Sequence, residues 1–407
     1  MVHVVSSRGS MQSGKLILTP GVECNNNMPK HYSVFAAQNM ESPQEHQENS
    51  IIFTNAAVGG ALFMQHHMMQ RVNKTGRQVA RSRSDIIQSI QSVKSVNAVR
   101  IKNSMAPISC AFDAEPAPVQ ERRYFHNPNN WPAESVQQAK QLREIMHRDQ
   151  LDVFLEQTIE LQGYYPLLPC NRTVAWIAES DRGEAQAISY AIGAITGRAL
   201  GQLGIDTLYA PVCDMAAQAF RERCYGGTVE VIISCATQWI LGALAQRGIE
   251  KICLKHAPGH GVRINKGLQS QQDTHNNQCI SRDTYADIIQ HMQVFTEVVQ
   301  KVLSYGVDKQ ALSVMTSHII MTALDALTPV SSSQKAITFI RANLPPGIPL
   351  VADCINMAGY ADNMSVFHKR LQHTVSLHDG GIIATTHYVK RLSREALIAA
   401  YNKSVKS

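Results

Sequence analysis

Eight short apolar runs, rich in branched residues and set apart by longer stretches, recur along this 407-residue chain. They occupy residues 15–19, 60–64, 107–113, 207–212, 251–255, 312–316, 349–353 and 381–385. Such runs read as strands buried on both faces, because a strand with one wet face would alternate apolar with polar residues. Between them, residues 184–203, 229–247, 285–304 and 332–344 place apolar side chains three and four apart, the spacing of a helix with one face against a sheet. Strands alternating with helices form a parallel sheet, since a parallel neighbour is reached only through a crossover. Eight such units predict an α/β fold, a (β/α)₈ TIM-type barrel in a single domain with surface insertions, although a doubly wound open sheet has the same alternation.

The polar residues favour the barrel. Asp113, Asp214, His256, His318 and Asp353 fall at or just past the carboxyl ends of their strands, the end at which barrels assemble their sites. Two regions fit the alternation poorly, residues 24–49 and 148–182, and both are expected to be surface insertions or loops. The expected organisation is an N-terminal segment, 1–57, holding the first barrel strand and a polar loop, followed by a catalytic barrel over 58–407.

Composition removes several function classes. The net charge of +6 comes from lysines and arginines scattered without a stripe interleaved with aromatics, which argues against nucleic acid as a partner. No stretch approaches the run of about 20 apolar residues that spans a bilayer, and the first residues lack the apolar core of a secretory signal. A cytoplasmic location without a membrane partner is the expectation. The nine cysteines contain no C-x-x-C pair, so neither a disulfide framework nor a zinc site is indicated. Cys213, Cys253 and Cys354 sit in or beside apolar runs and are expected to be buried thiols.

Three stretches carry the chemistry. Asp353 ends an apolar run, so its carboxylate is ionised and held rigidly by a strand, as a nucleophile requires; capping of the next helix is the competing use of such an aspartate. Asp273 and His275 lie two apart in Asp273-Thr274-His275, and side chains at i and i+2 of an extended segment point to one side. The carboxylate can then orient the imidazole and raise its pKa toward neutrality, which suits proton transfer. Among sixteen histidines most are packing or surface residues, including the His66-His67 pair. Lys255-His256 ends the fifth run, and Pro258-Gly259-His260-Gly261 follows as a turn that lets backbone approach a ligand. Arg223 occupies a similar loop, and for both basic groups a solvated position beside a turn is the alternative. No phosphate-binding glycine motif follows a strand.

These motifs resemble glycoside hydrolase family 3, in particular its single-domain bacterial β-N-acetylglucosaminidases of peptidoglycan recycling. The family's K-H-F-P-G-H-G followed by D-S-H is matched by Lys255 to Gly261 and by Asp273-Thr274-His275, and its S-D-D-L-S-M by Ala352 to Met357. Shorter correspondences run in the same order: Gly59 to Phe63, Ala210 to Asp214, Arg223 to Gly226 and Met315 to His318. The resemblance covers the chain from Val58 onward. It implies Asp353 as nucleophile, His275 as acid/base with Asp273 as its partner, and sugar-hydroxyl contacts from Asp113, Arg223, Lys255 and His256.

The implied activity is removal of terminal β-linked N-acetylglucosamine from a small carbohydrate or muropeptide with retention of configuration, needing no metal or organic cofactor. Phosphorolysis is the alternative chemistry, because an imidazole in place of a second carboxylate repels phosphate less. A barrel that only binds a sugar or a protein is the alternative class. The chain departs from the family in three places. The family's D-Q-E-G-G-R-V is Asp113-Ala114-Glu115-Pro116-Ala117-Pro118-Val119; eleven residues separate Gly261 from Asp273; and the second acid of S-D-D is Cys354. The trio Asp353, His275 and Asp273 is intact, whereas the loop after Asp113 is altered.

Overall fold

The computed structural model describes residues 2–5, 11–14, 16–18, 58–63, 69–71, 78–80, 82–102, 107–115, 131–162, 168–215, 223–261, 274, 278–355, 357–361 and 363–384. Eight strands close a barrel: β1 (Leu16–Leu18), β2 (Val58–Phe63), β3 (Ser109–Phe112), β4 (Thr207–Leu208), β5 (Lys251–Ala257), β6 (Leu312–Thr316), β7 (Leu350–Ala352) and β8 (Gly381–Ala384). Each pairs in parallel with its sequence neighbours, and β8 pairs with β1 through Ile382↔Leu16 to close the ring. All eight predicted runs are therefore barrel strands. The fourth is shorter than expected, because regular pairing ends at Leu208 and the chain continues through Pro211 to an isolated bridge between Val212 and Lys255. Residues 24–49, His66 and His67 lie outside the described residues.

Around the ring stand α1 (Arg83–Lys94), α2 (Asn97–Lys102), α3 (Trp131–His147), α4 (Leu151–Gln162), α5 (Asn171–Ser180), α6 (Arg182–Gly201), α7 (Val229–Leu244), α8 (Tyr285–Ser304), α9 (Gln334–Asn343) and α10 (Met364–Leu377). Their starts follow local chemistry. Asp181 accepts from the Glu184 N–H at the head of α6, and Thr284 with Asp287 forms a reciprocal capping box on α8. The reading of 148–182 as insertion or loop is corrected: these residues carry α4 and α5. Leu151 and Leu155, four apart, turn inward on α4, as do Val174, Ile177 and Ala178 on α5. These helices are short and joined through a Pro-containing segment, so neither extends far enough to register as a long periodic stretch.

Strand periodicity fixes what faces the barrel interior. Ala111, Tyr209, Cys253, Met315, Val351 and Ile383 form one buried cluster, with Cys354 and Met357 packed on it. Advancing two residues returns a strand to the same face. Asp113, Lys255 and Asp353 therefore stand one layer above Ala111, Cys253 and Val351, at the carboxyl-end mouth. Outside the ring, α6 and α7 meet without intervening side chains. A Cβ on Gly193 would lie 2.0 Å from the Trp239 carbonyl oxygen, one on Gly197 2.6 Å from that of Ala243, and one on Gly242 2.1 Å from that of Tyr190.

Candidate active site

The mouth is organised around Lys255. Its ammonium, 3% exposed, contacts Asp113 Oδ1 and Glu115 Oε1. Glu115 is gripped from its other side by Arg223, whose Nη2 donates to Oε1 at 2.7 Å and whose Nε donates to Oε2. Two acids thus meet two bases in a nearly dry layer, and the charges balance. Burial raises the Asp113 pKa above the usual carboxylate range despite the adjacent Lys255. Burial pushes Glu115 upward as well, but Arg223 and Lys255 overcome it and hold Glu115 well below that range. For Lys255 burial acts downward, and Asp113 and Glu115 reverse it to leave the ammonium more firmly protonated. Asp113 remains the open member, with its side chain 29% exposed at the mouth.

Arg223 reaches this cluster because its loop is pinned. The Asn171 amide of α5 donates to the Arg223 carbonyl at 2.7 Å, and Val212 bridges to both Cys224 and Lys255. The segment misread as a loop is thus the support of a predicted site residue.

A second cluster shapes the Lys255 to Gly261 turn. In the pairing of β5 with β6, Met315 faces Lys255 while Thr316 faces Ala257, so His256 is the extra residue of a bulge. The Lys255–His256 and Ala257–Pro258 peptides are cis. Buried Asp214 gathers the turn: Oδ2 accepts the His256 N–H at 3.0 Å and lies 2.9 Å from His256 Nδ1, while Oδ1 accepts the His260 N–H at 2.9 Å and lies 3.0 Å from His260 Nδ1. Burial raises Asp214, but His260 and His256 prevail and keep it ionised. Burial also lowers the His256 pKa, more than Asp214 raises it, so this imidazole is neutral. Ligand atoms of Asp214, His256 and His260 lie within 4.8 Å of one another, a spacing found in metal sites. Here two backbone N–H groups point at the same carboxylate, which makes the trio a hydrogen-bonded clamp. Gly261, at φ +80°, closes the turn where a Cβ would approach Ser281 Oγ to 2.4 Å and Asp283 Oδ2 to 2.7 Å.

Asp353 faces these clusters from β7. Its N–H donates to the Thr316 carbonyl at 3.2 Å, and its Oδ1 accepts the Cys354 N–H at 2.7 Å. Burial lowers the pKa values of both His256 and His318, and the negative charge of Asp353 opposes that lowering at each, which places the carboxylate on their side of the mouth. Helix capping is not its use, because α10 begins at Met364 and is capped by Asn363. Asp273 and His275 lie outside the described residues. Thr274 between them is buried, and its carbonyl accepts the Gly359 N–H at 2.8 Å in the loop that Asp353 begins.

The structure thus brings Asp113, Arg223, Lys255, His256 and Asp353 to one mouth. It adds Glu115, Asp214 and His260, which the motifs contained but sequence reasoning gave no role. The signal for Glu115 was its i, i+2 spacing from Asp113 beyond a strand.

Fold and site together define a closed (β/α)₈ barrel with an ion-paired polar cluster at its carboxyl-end mouth. The family model for the glycosyl hydrolase family 3 N-terminal domain matches residues 135–384. The chain belongs to that family. A beta-hexosaminidase of Alkalilimnicola ehrlichii is 24% identical over 199 residues, covering 48% of this chain and 52% of the relative, so the chain matches about half the length of that protein. Among solved structures, a family 3 β-N-acetylglucosaminidase from a Paenibacillus strain superposes with a TM-score of 0.62 at 17% identity, covering 96% of this chain and 56% of that one. NagZ from Neisseria gonorrhoeae, in complex with N-trifluoroacetyl-D-glucosamine, superposes with a TM-score of 0.59 at 14% identity, covering 96% and 89%. These likenesses establish the fold. Among the described residues no helix is long and apolar enough to cross a membrane.

Proposed function

We propose that the protein is a retaining β-N-acetylglucosaminidase that cleaves terminal β-linked N-acetylglucosamine from a small glycan, with a peptidoglycan fragment as the fitting substrate. The observation that carries this is the convergence of Asp353 with the Asp113–Lys255–Glu115–Arg223 cluster at one barrel mouth. A carboxylate nucleophile needs a rigid mount, and hydroxyl recognition needs charged groups already paired and desolvated before the sugar arrives. Asp113 offers a lone pair at the open edge of the cluster. Lys255, Arg223 and His256 supply donors or orient that carboxylate.

In the first step an Asp353 oxygen attacks the anomeric carbon while the bond from that carbon to the leaving oxygen breaks. His275, protonated beside Asp273, gives its proton to that oxygen. In the second step water attacks the same carbon, His275 takes a proton from the water, and the Asp353 carboxylate is released. Two displacements at one carbon return the original configuration, with one water consumed. The hydrogen bond from Gly359 to the Thr274 carbonyl supports this assignment, since it ties the middle of Asp273-Thr274-His275 to the loop that begins at Asp353. The activity of the whole protein and a cytoplasmic location form part of the same reading.

Assay with a chromogenic β-N-acetylglucosaminide, with and without inorganic phosphate, tests it. Release of free N-acetylglucosamine at a rate indifferent to phosphate is the expected result. A sugar 1-phosphate as the main product would replace hydrolysis by phosphorolysis, and no turnover with retained sugar binding would make the barrel a binding module.

A further inference from the structure

The M-T-S-H segment places a histidine just beyond β6 that the chemistry above does not use. His318 is fully buried, and both ring nitrogens are engaged. Nε2 lies 2.9 Å from the Cys354 carbonyl oxygen and Nδ1 lies 2.7 Å from Ser331 Oγ. A carbonyl accepts and never donates, so the proton sits on Nε2 and the Ser331 hydroxyl donates to Nδ1. Burial lowers the His318 pKa to about 4, which leaves the ring neutral with one donor and one acceptor, as these two partners require. The ring is wedged at 5.1 Å against Tyr360, whose hydroxyl lies 2.9 Å from Thr374 Oγ1. Ser331 is held in turn, its N–H donating to the Ser317 carbonyl at 3.0 Å.

Cys354 is the link to the reacting carboxylate, with its N–H and its carbonyl in the two peptide units that meet at its Cα. Its N–H donates to Asp353 Oδ1 at 2.7 Å, while its carbonyl is the one that His318 holds. Cys354 stands between two backbone anchors, the Asp353 N–H on the Thr316 carbonyl and the Ile355 N–H on the Ile383 carbonyl at 3.0 Å. Those fix where the chain runs. The Cys354 carbonyl shares its peptide plane with the Ile355 N–H, so His318 and the Ile383 carbonyl hold opposite edges of one plane, and the Cys354 N–H that meets Asp353 lies in the preceding plane, hinged to the first at the Cys354 Cα.

We propose that His318 is a positioning residue for Asp353: by holding the Cys354 carbonyl it steadies the backbone whose N–H orients the Asp353 carboxylate that attacks the anomeric carbon. This rests on the reading of Asp353 as nucleophile. His318 touches no substrate. Its effect belongs in the step that forms the glycosyl bond to Asp353 and leaves sugar affinity unchanged.

The test measures that step directly with a 5-fluoro N-acetylglucosaminyl fluoride, whose anomeric fluoride departs without protonation, so that covalent labelling reports nucleophile alignment apart from acid catalysis. Labelling is followed by intact mass and located by peptide mapping. In the wild type the adduct is expected on Asp353; an adduct elsewhere, or none, overturns the nucleophile assignment itself. In folded His318→Leu, which fills the space without a donor, the labelling rate is expected to fall about 10–100-fold, the range in which a displacement near 1 Å is felt. Calorimetric affinity for N-acetylglucosamine should stay within about twofold of wild type if the group acts only in the reacting geometry. His318→Gln, which keeps an amide donor within reach of the carbonyl, should recover most of the rate, and Ser331→Ala should fall between.

Wild-type labelling by folded His318→Leu overturns the positioning role. So does a fall matched by equal loss of sugar affinity. If His318→Leu fails to fold, the comparison of His318→Gln with Ser331→Ala decides: the role stands if labelling slows in Ser331→Ala at unchanged sugar affinity while His318→Gln retains most of it, and any other pattern overturns it.

Discussion

Lys255→Met is the most informative single perturbation of the mouth, because it removes one charge from a balanced cluster without changing side-chain length much. Lys255 is 3% exposed and contacts both Asp113 and Glu115, whose side chains are 29% and 10% exposed. Glu115 keeps its two bonds to Arg223, so the orphaned group is Asp113. Removing one partner of a buried ion pair costs about 3–5 kcal/mol, and the partial exposure of Asp113 puts the expected loss near the lower end, about 3 kcal/mol at neutral pH. The loss depends on pH with a definite sign. Asp113 already has a folded-state pKa above its unfolded value, and loss of the ammonium raises it further. A raised carboxylate stabilises the fold at low pH, where the proton is bound more tightly in the native state, and that contribution is lost as pH rises through the folded pKa. The destabilisation of Lys255→Met relative to wild type should therefore be largest at pH 8 and shrink steadily toward pH 4.5. Urea denaturation at several pH values, with the midpoint shift converted through a common slope, measures it. A loss below about 1 kcal/mol, or one that does not vary between pH 8 and 4.5, would show that the cluster is well hydrated and that its charges carry little desolvation cost.

Asp353→Ala should abolish turnover while leaving the urea midpoint within about 1 kcal/mol of wild type, since the side chain faces the mouth and contributes little to the core; wild-type rates in the folded variant would remove the covalent route. His275→Ala should slow cleavage of a poorly departing aglycone roughly 10²–10⁴-fold and that of an activated aryl glycoside far less. Equal losses across leaving groups, with glycosylation rate-limiting, would confine His275 to binding or structure. In the altered loop after Glu115, Pro116→Gly with Ala117→Gly should tighten N-acetylglucosamine binding by calorimetry and lower KM more than it changes kcat, because proline fixes φ and withholds an N–H; unchanged affinity would show that this loop does not limit binding.

What could be read in advance divides along physical lines. The barrel was legible because its strands are buried on both faces and therefore spell out continuous apolar runs. Asp113, Lys255 and Asp353 followed from the same runs, since a period of two carries the inward face of a strand onto the first residues beyond it. The clamp on Asp214 was not legible. It depends on His256 being the surplus residue of a bulge, and whether a residue is surplus is decided by the partner strand β6. The helices α4 and α5 were missed for a related reason. Each is only three turns or so in length, and what stabilises them is contact with α6 and the Arg223 loop rather than any strong local preference. Glu115 lay in plain view beside Asp113, but that it would be shared between Lys255 and Arg223 became apparent only once β3, β5 and the Arg223 loop were adjacent.

The glycine seam between α6 and α7 acts as a gauge for the mouth. Each of these helices leads directly into a strand, α6 into β4 and α7 into β5, and the two strands end in the halves of one device: Asp214 beyond β4 and His256 on β5. The separation of the helices is one backbone thickness because Gly193, Gly197 and Gly242 place nothing between them. A methyl at Gly193 would sit 2.0 Å from a carbonyl oxygen, and relieving that overlap means parting the helices by about 1 Å in an interior that is packed like a crystal. The hydrogen bonds joining β4 to β5 do not stretch to follow, so the mismatch would be passed along the strands to the loops at their ends. A single hydrogen atom in place of a side chain on the outside of the barrel thus calibrates how closely the Asp214 carboxylate inside it grips the turn from Lys255 to Gly261.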